Sequence, residues 1–324
     1  MRAAPAPVDP DSSDDAAHVP VLCAAVLEWL RPAPGAVIVD ATVGAGGHAS
    51  ALLEKILPGG RLIGLDRDRD ALELTGRRLE RFGDAVTLRP SRLDRLSESL
   101  EKLGIERVNS VLVDLGVSSM QLDRAERGFS FSRPGPLDMR MDQGQGRAAS
   151  ELVAQLSEDD LADIFYRYGE ERWSRRIARR IVEERARGAI ERTDQLAGLV
   201  AKAIPRGAWP RGIHPATRVF QALRIAVNEE LDQVEPAIRQ AVEYLRPGGR
   251  LALIAFHSLE DRVVKQTLVS LAGKCTCPPR FPVCVCGAVA LVKILTRKPV
   301  VASAAEVAMN PRSRSARLRV LETL

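Results

Sequence analysis

The fold class is decided by residues 37–48, which read VIVDATVGAGGH. Three β-branched residues, typical of a buried strand, open this stretch. Asp40 ends the strand, and the glycine cluster after it lets the backbone pass close to a ligand. The apolar residues of 49–56 then recur at helical spacing. The stretch therefore predicts a strand, a ligand-binding turn and a helix whose N-terminus offers free N–H groups.

The same alternation of strand and helix continues as far as Asp114. A strand over residues 61–65 ends at Asp66, and a strand over residues 111–113 ends at Asp114. Between them we predict a helix, a strand and a second helix, over 71–81, 85–88 and 93–103. Such alternation indicates a parallel sheet covered by helices on both faces. Because parallel strands end at one edge, Asp40, Asp66 and Asp114 should lie together there, where such sheets bind ligands.

The alternation stops after Asp114. Residues 128–142 form a loop rich in Gly, Pro and charge, and residues 148–203 have a purely helical pattern. Strand–helix order resumes at Pro236, which we place in the first turn of a helix because proline is tolerated there. A strand over 251–256 follows, and segments 289–295 and 316–321 are expected to form a closing strand pair.

We therefore predict an α/β protein with a Rossmann-like sheet and an inserted all-helical domain. The sheet domain would comprise residues 18–120 and 216–324, and the insert residues 121–215. Residues 1–17 are Pro, Ala, Asp and Ser without an apolar core, so we expect a disordered tail rather than a signal peptide.

Composition sets broad limits on function. The chain has 324 residues, 45% hydrophobic and 27% charged, which is ample for a buried core. No apolar run is long enough to span a bilayer, so we expect a cytoplasmic protein and no membrane partner. The net charge of +5 mildly favours an anionic partner. Aromatic residues are only 4%, which argues against an extended base-stacking surface.

The glycine cluster is compatible with two kinds of cofactor. Gly44 begins a G-x-G-x-x-A pattern with Asp66 about twenty residues on, which is the dinucleotide fingerprint. A carboxylate at Asp40 would repel a pyrophosphate but would attract the ammonium and sulfonium groups of S-adenosylmethionine. Asp66 can accept hydrogen bonds from ribose hydroxyls in either case, and both acids have a purely structural role as the alternative. We favour S-adenosylmethionine.

The turn after the fourth strand, Asp114-Leu115-Gly116-Val117-Ser118-Ser119, carries the second signal. An exocyclic base amine is a poor nucleophile because its lone pair is delocalised into the ring. An acceptor for its N–H would favour the pyramidal geometry needed for attack, and catalysis is then mostly positioning. Asp114 is the natural acceptor, with a turn-capping role as the alternative.

Several uncommon segments are spread over nearly all of the chain after residue 17. They are 18–22 (HVPVL), 114–121 (DLGVSSMQ), 126–131 (ERGFSF), 135–142 (GPLDMRMD), 168–172 (YGEER), 214–218 (HPATR), 256–262 (FHSLEDR) and 310–319 (NPRSRSARLR). With these segments the chain resembles the bacterial small-subunit ribosomal RNA cytosine-N4 methyltransferase family. The resemblance is specific because several segments are long and rare.

The resemblance implies a class I methyltransferase that uses S-adenosylmethionine to methylate N4 of a decoding-centre cytidine in 16S rRNA. Its partner would be 16S rRNA within the small ribosomal subunit, and a homodimer is a further expectation. Carried over by position, the cofactor contacts are Gly46, Gly47, His48, Asp66, Leu93, Asp114 and Gln121. The family often has phenylalanine where this chain has Leu93, and leucine loses aromatic stacking on the adenine. The two-proline motif of DNA amine methyltransferases is absent, so the catalytic acceptor is left open.

Three further residues are catalytic candidates. Asp138 and Asp142 follow the Asp114 turn, on a loop able to close over a base and accept from its amine. Arg140, between them, is a candidate for holding a phosphate. An internal salt-bridged loop is the alternative for Asp138, Arg140 and Asp142. His257 ends the fifth strand at the same edge, where substrate contact and a structural role are equally compatible.

A basic helix supplies candidate RNA contacts. Within residues 172–187, Arg172, Arg176 and Arg179 form a cationic stripe opposite an apolar one. RNA phosphate binding is one interpretation, and a solvated helix face is the other.

Four clustered cysteines read C-x-C-x6-C-x-C, at Cys275, Cys277, Cys284 and Cys286. Zinc sites more often use C-x-x-C, so we expect no metal. Methylation at carbon 5 of cytosine would need a cysteine nucleophile, and none follows Asp114. A nicotinamide-dependent oxidoreductase and a noncatalytic RNA-binding protein remain the alternative functions.

Overall fold

The computed structural model describes residues 20–210, 212–273 and 289–324. The expected tail over 1–17, the first two residues of the HVPVL segment and all four clustered cysteines lie outside the described residues.

A single seven-stranded sheet forms the centre of the described structure, in the order β3-β2-β1-β4-β5-β7-β6. Strands β1 to β5 pair in parallel, whereas β7 runs antiparallel to both β5 and β6. This arrangement confirms the predicted parallel sheet and its closing antiparallel pair. The strands are β1 (Val37–Asp40), β2 (Arg61–Asp66), β3 (Val86–Pro90), β4 (Val108–Asp114), β5 (Leu245–Ala255), β6 (Val292–Ile294) and β7 (Arg317–Thr323).

Helices cover both faces of the sheet and fill the chain between β4 and β5. None of those described is long and apolar enough to cross a bilayer. The helices are α1 (Cys23–Leu30), α2 (Gly47–Ile56), α3 (Arg69–Leu79), α4 (Leu96–Lys102), α5 (Ser119–Asp123), α6 (Ala149–Gln155), α7 (Glu158–Gly169), α8 (Ser174–Arg185), α9 (Thr193–Ala203), α10 (Thr217–Asn228), α11 (Glu230–Tyr244), α12 (Ser258–Leu271) and α13 (Ala304–Met309).

Each face of the sheet has its own apolar core, because successive side chains of a strand point to opposite faces. Ile38 of β1 packs with α1 and α2, whereas Val39 packs in the core that includes α4, α11 and α12. Strands β1, β2 and β4 are buried on both faces along most of their length, which explains their near-continuous apolar sequences. The sheet's carboxyl edge is thereby fixed in position relative to the helices around it.

A third core lies among the helices between β4 and β5. Its buried apolar residues run from Phe129 to Leu223 and include members of α6 to α10. Helix α8 shows why: Ile177 and Ile181, four residues apart, are fully buried on one face, while its arginines lie mostly on the other. A Rossmann-like α/β sheet joined to an all-helical part is the fold class that the sequence predicted.

The prediction for Pro236 was wrong. Helix α11 begins at Glu230, so Pro236 lies in the helix interior and not in its first turn. The helix starts early because the chain turns sharply at Glu229. This residue has a φ of 51° and is the single residue between α10 and α11. The ring of Pro236 leaves the carbonyl of residue 232 without its usual i+4 donor.

Candidate active site

A cavity of about 1350 Å³ opens at the carboxyl edge of the sheet. In the register, Asp40 is level with Gly64 on β2 and with Leu112 on β4. The three strand-ending acids therefore lie together, as predicted. The cavity is lined by all but one of the residues expected to contact the cofactor: Gly47, His48, Asp66, Leu93, Asp114 and Gln121.

The exception, Gly46, shapes the glycine turn from behind. It caps α2 with a φ of 77°, a conformation that favours glycine. An added Cβ would lie 3.0 Å from the Cγ2 of Thr75. The Thr75 hydroxyl in turn donates to the carbonyl of Gly44 at 2.5 Å. The turn is therefore packed tightly against α3, and its other side is left open to the cavity.

Asp66 anchors the same turn. Its Oδ2 accepts the backbone N–H of Gly44 at 2.9 Å, and its Oδ1 accepts that of Asp68 at 2.9 Å. Burial raises the pKa of Asp66 to about 6, although these hydrogen bonds favour the charged form and oppose the rise. Each carboxylate oxygen can accept a second hydrogen bond, so the group remains able to bind hydroxyls.

Asp40 lies beneath the cavity floor and is only 1% exposed. Burial raises its pKa to about 7, the Asp66 carboxylate adds to the rise, and a hydrogen bond from the N–H of Thr42 opposes it. A positive charge placed in the cavity would stabilise both carboxylates in their ionised form. The floor therefore favours a cationic ligand.

Asp114 carries an unsatisfied polar atom at this edge. Its backbone N–H donates to the Thr42 hydroxyl at 2.7 Å, which fixes the start of the turn. Its Oδ1 is buried and has no hydrogen-bond partner among the described residues. Burial raises the pKa of Asp114 well above its ordinary value, and the carboxylates of Asp40 and Glu260 add to the rise. The side chain as a whole is 25% exposed and lines the cavity, so its carboxylate is the acidic group that a bound ligand would meet at this edge.

His48 faces Asp114 as a neutral ring. Its Nε2 lies 2.9 Å from the carbonyl of Val21, and a carbonyl only accepts, so Nε2 carries the proton. Nδ1 then offers a lone pair 3.7 Å from Asp114 Oδ2. Burial lowers the pKa of His48 to about 4. The close approach is therefore not an ion pair in the neutral pH range.

Gln121 is held from within the protein. With Ser118 it forms a capping box at the start of α5, accepting the N–H of Ser118 at 3.0 Å. Its amide donates to Asp68 Oδ2 at 2.8 Å, and Arg127 donates to the same oxygen at 2.8 Å. Arg127 also donates to the carbonyl of Met141. This buried network ties the end of β2 to the loop after β4.

Arg127 and Asn228 are two site residues that were not predicted from the sequence. Asn228 accepts the N–H of Met141 at 2.9 Å and donates to the carbonyl of Met139 at 2.7 Å. Met139 has a φ of 63°, so these bonds hold a conformation that methionine rarely adopts. Arg127 lies within the ERGFSF segment, which was the available signal, whereas nothing in the sequence points to Asn228.

The structure does not bring Asp138 and Asp142 to the cavity. Asp138 pairs with Arg140 through two hydrogen bonds of 2.8 and 2.9 Å, and Asp142 accepts the N–H of Gly144. Burial raises the pKa of Asp138, but the Arg140 hydrogen bonds outweigh it and hold the pKa below its ordinary value. This is the internal salt-bridged loop that was the alternative expected from the sequence, and Arg140 is engaged in it.

His257 caps a helix and does not line the cavity. Its Nδ1 accepts the N–H of Glu260 at 3.3 Å at the start of α12, and its Nε2 lies 3.1 Å from Glu260 Oε1. Ligand atoms of Glu230, His257 and Glu260 lie within 4.8 Å of one another. Arg224 supplies positive charge to this cluster, because it donates to both carboxylate oxygens of Glu230 at 2.8 and 2.7 Å.

The four arginines predicted to contact RNA have different neighbours in the structure. Arg172 lines a second cavity of about 840 Å³ beside Trp173, and the Arg176 guanidinium lies 5.8 Å from the Trp173 ring centre. Arg179 lies 3.4 Å from Glu158 instead. Two of the four arginines therefore meet at an aromatic side chain, while Arg140 and Arg179 pair with acids.

Known proteins resemble the chain over most of its length. It is 52% identical over 307 residues to a ribosomal RNA small subunit methyltransferase H of Geotalea uraniireducens, covering 95% of this chain and 98% of the relative. A relative with the same name from Geobacter sulfurreducens is 53% identical over 95% of this chain and 99% of its own. A solved structure of a putative rRNA methylase from Clostridium thermocellum is a weak match, with a TM-score of 0.44 and 13% identity over 93% of this chain and 95% of that chain.

The sequence model of one family spans nearly the whole chain, matching residues 15–324. The match includes both parts of the sheet and all the helices between them. The chain therefore belongs to the MraW methylase family.

Proposed function

We propose that this chain transfers the methyl group of S-adenosylmethionine to the N4 amine of a decoding-centre cytidine in 16S rRNA. The names of its relatives support small-subunit rRNA as the substrate. The observation that carries the chemistry is the Asp114 side chain, which lines the cavity and is 25% exposed. An amine N–H donates a hydrogen bond that the carboxylate of this side chain can accept.

The residues of the cavity fit S-adenosylmethionine. Buried carboxyl groups at Asp40, Asp66 and Asp114 all have raised pKa values, and a cationic ligand favours their ionised forms. A dinucleotide would instead bring a pyrophosphate to these acids. When bound, S-adenosylmethionine supplies an electrophilic methyl carbon.

We assign the cofactor contacts as follows. Asp66 binds the ribose hydroxyls with its free acceptor sites, and Leu93 covers the adenine. The turn of Gly46 and Gly47, with His48, lies against the methionyl portion. Gln121 contributes mainly by holding Asp68 and the start of α5, because its amide is already bonded there.

Asp114 is the best candidate for the catalytic acceptor. Of the four acids and bases expected from the sequence, it alone lines the cavity, whereas Asp138, Asp142 and His257 do not. As a carboxylate it accepts an N–H of the amine and favours the pyramidal nitrogen that attacks. No strong base is needed, because the proton becomes acidic only as the new bond forms, so positioning supplies most of the rate.

RNA recognition falls to the helical part over residues 121–215, an insert in the sheet domain of 18–120 and 216–324. Arg172 and Arg176 beside Trp173 combine positive charge with an aromatic face, which suits an RNA strand. Small ribosomal subunits are the expected form of the substrate.

The test uses S-adenosylmethionine with a deuterated methyl group and small subunits that lack the modification. After digestion of the RNA, mass spectrometry identifies the labelled nucleoside. We expect N4-methylcytidine with wild type and almost none with D114A, while D142A serves as the control. Label in a different nucleoside would overturn the assigned atom, and no label in subunits or naked 16S rRNA would overturn the methyl transfer.

A further inference from the structure

The mouth of the active-site cavity is surrounded by arginines from three separate parts of the chain. Helix α3 contributes two, the segment after β4 contributes two, and the segment before β7 contributes two. These mouth arginines are Arg77, Arg78, Arg124, Arg133, Arg312 and Arg314.

The topology explains how distant segments meet at this mouth. Strand β7 runs antiparallel to β5, so it begins at the carboxyl edge of the sheet, with Arg317 level with Ala255. The residues just before β7 therefore lie beside the cavity. Ser313 is fully buried and anchors them. Arg312 reaches across to α5 and donates to both oxygens of Asp123 at 2.8 and 2.9 Å.

Only some of the mouth arginines form ion pairs with acidic side chains of the protein itself. Arg124 lies 3.5 Å from Asp70, and Arg312 pairs with Asp123. Arg77 and Arg314 are exposed and form no ion pair with any described residue. Among all the residues that line the cavity, eight arginines exceed six acids, so the lining carries an excess of positive charge.

We propose that the mouth arginines bind the RNA phosphates on either side of the target nucleotide. The inference rests on the proposed function, because it takes the base entering the cavity to be part of an RNA strand. Only the base needs to enter, since chemistry on a stacked base requires that the nucleotide be turned out of its helix. The flanking phosphates then remain at the opening, where guanidinium groups bind them with two hydrogen bonds each.

This surface is distinct from the arginines of α8. Arg172 and Trp173, just before α8, line the second cavity, and no mouth arginine lines it. The mouth arginines set the position of the reacting nucleotide, whereas contacts on α8 would hold a remote part of the RNA. Loss of the mouth contacts should therefore weaken RNA binding without changing the affinity for S-adenosylmethionine.

The test compares R77Q/R314Q with K55Q/R246Q, a control that removes the same charge. Lys55 lies in the last turn of α2 and Arg246 is the second residue of β5, both at the opposite edge of the sheet. Binding of transcribed 16S rRNA is measured over a range of salt concentrations. We expect the slope of log affinity against log salt to fall by about 1 for each arginine that contacts a phosphate, and not to fall in the control. The KM for RNA should rise on the order of tenfold for each lost contact, with the KM for S-adenosylmethionine unchanged.

The proposal is overturned if R77Q/R314Q matches its control in salt slope and in KM for RNA while wild type methylates RNA. If wild type binds RNA with the expected slope but labels no nucleoside, the proposed function fails and the RNA surface stands. The single variant R314Q guards against misfolding, because the Arg314 side chain has no hydrogen bond or ion pair to lose among the described residues. Thermal unfolding and S-adenosylmethionine binding verify that each variant is folded.

Discussion

Arg127 and Asp68 form an ion pair of 2.8 Å between side chains that are only 2% and 3% exposed. Asp68 lies two residues after the end of β2, and Arg127 lies in the segment after β4. The ion pair therefore connects these two parts of the chain. Arg127 also donates to the carbonyls of Arg140 and Met141, so it fixes the loop backbone as well as a charge. Removal of Arg127 would leave Asp68 as an uncompensated charge in the interior, whereas Arg127 without Asp68 would keep Asp70 as a partner at 3.4 Å.

We expect R127M to destabilise the protein by about 3–5 kcal/mol, because it leaves Asp68 buried and unpaired. The double variant D68N/R127M should recover part of this loss, since no isolated charge remains. Denaturant unfolding of the wild type, both single variants and the double variant gives the coupling energy. Additive effects of the two substitutions would contradict the pairing.

Removal of the Asp114 carboxylate should abolish most of the activity while the fold is kept. We expect D114A to lower turnover on the order of 10²-fold or more, because the amine loses its acceptor. D114N separates two causes, since its amide oxygen still accepts a hydrogen bond but carries no charge. The measurement is single-turnover methyl transfer with saturating RNA and cofactor. If D114A turned over like D142A, Asp114 would have no part in catalysis.

Asp40 should make the free protein less stable as the pH rises from about 4 to 7. Its pKa is about 7 in the folded state and near 3.8 when unfolded, so over this range the folded state binds more protons. The free energy of unfolding therefore falls with rising pH, by about 1.4 kcal/mol per unit at most. Subtracting the pH profile of D40N from that of wild type isolates the effect. A difference that is flat between pH 4 and 7 would refute it.

The same linkage predicts that S-adenosylmethionine binds more tightly as the pH rises toward 7. A cationic ligand favours ionised Asp40 and Asp66, whose pKa values in the free protein are about 7 and 6, so binding releases protons at lower pH. Calorimetry in buffers of different ionisation enthalpy measures the released protons directly. Proton uptake on binding at pH 6 would show that the sign is wrong.

Gly128 and Gly146 form a matched pair for testing the loop. Their φ values are 73° and 72°, but a Cβ at Gly128 would lie 2.3 Å from the carbonyl oxygen of Pro136, whereas at Gly146 it would meet nothing within 4 Å. G146A should cost about 1–2 kcal/mol of stability, from the left-handed conformation alone. G128A should cost clearly more, because backbone atoms must move. Equal losses in denaturant unfolding would rule out the tight packing at Gly128.

The sequence was sufficient for the sheet and for the position of its acids. Apolar runs ending at Asp40, Asp66 and Asp114 determine parallel strands, and parallel pairing brings strand ends together whatever the intervening chain does. It was insufficient for Pro236, because the turn at Glu229 uses a left-handed conformation that glycine would normally signal. It also could not decide between a substrate amine and an internal salt bridge as the partner of Asp138, or find Asn228. The contacts of Asn228 depend on tertiary packing between residues 87 and 89 positions apart in the chain.

The separation of β4 from β5 has a consequence for how the protein folds. These strands are hydrogen-bonded neighbours, yet about 130 residues lie between Asp114 and Leu245. Closing so long a loop costs chain entropy before the pairing returns any stability. The helices between the strands have an apolar core of their own, so they can collapse first and shorten the effective loop. We therefore expect the helical part to gain protection from hydrogen exchange before the centre of the sheet does, with the ligand-binding edge among the last regions to form.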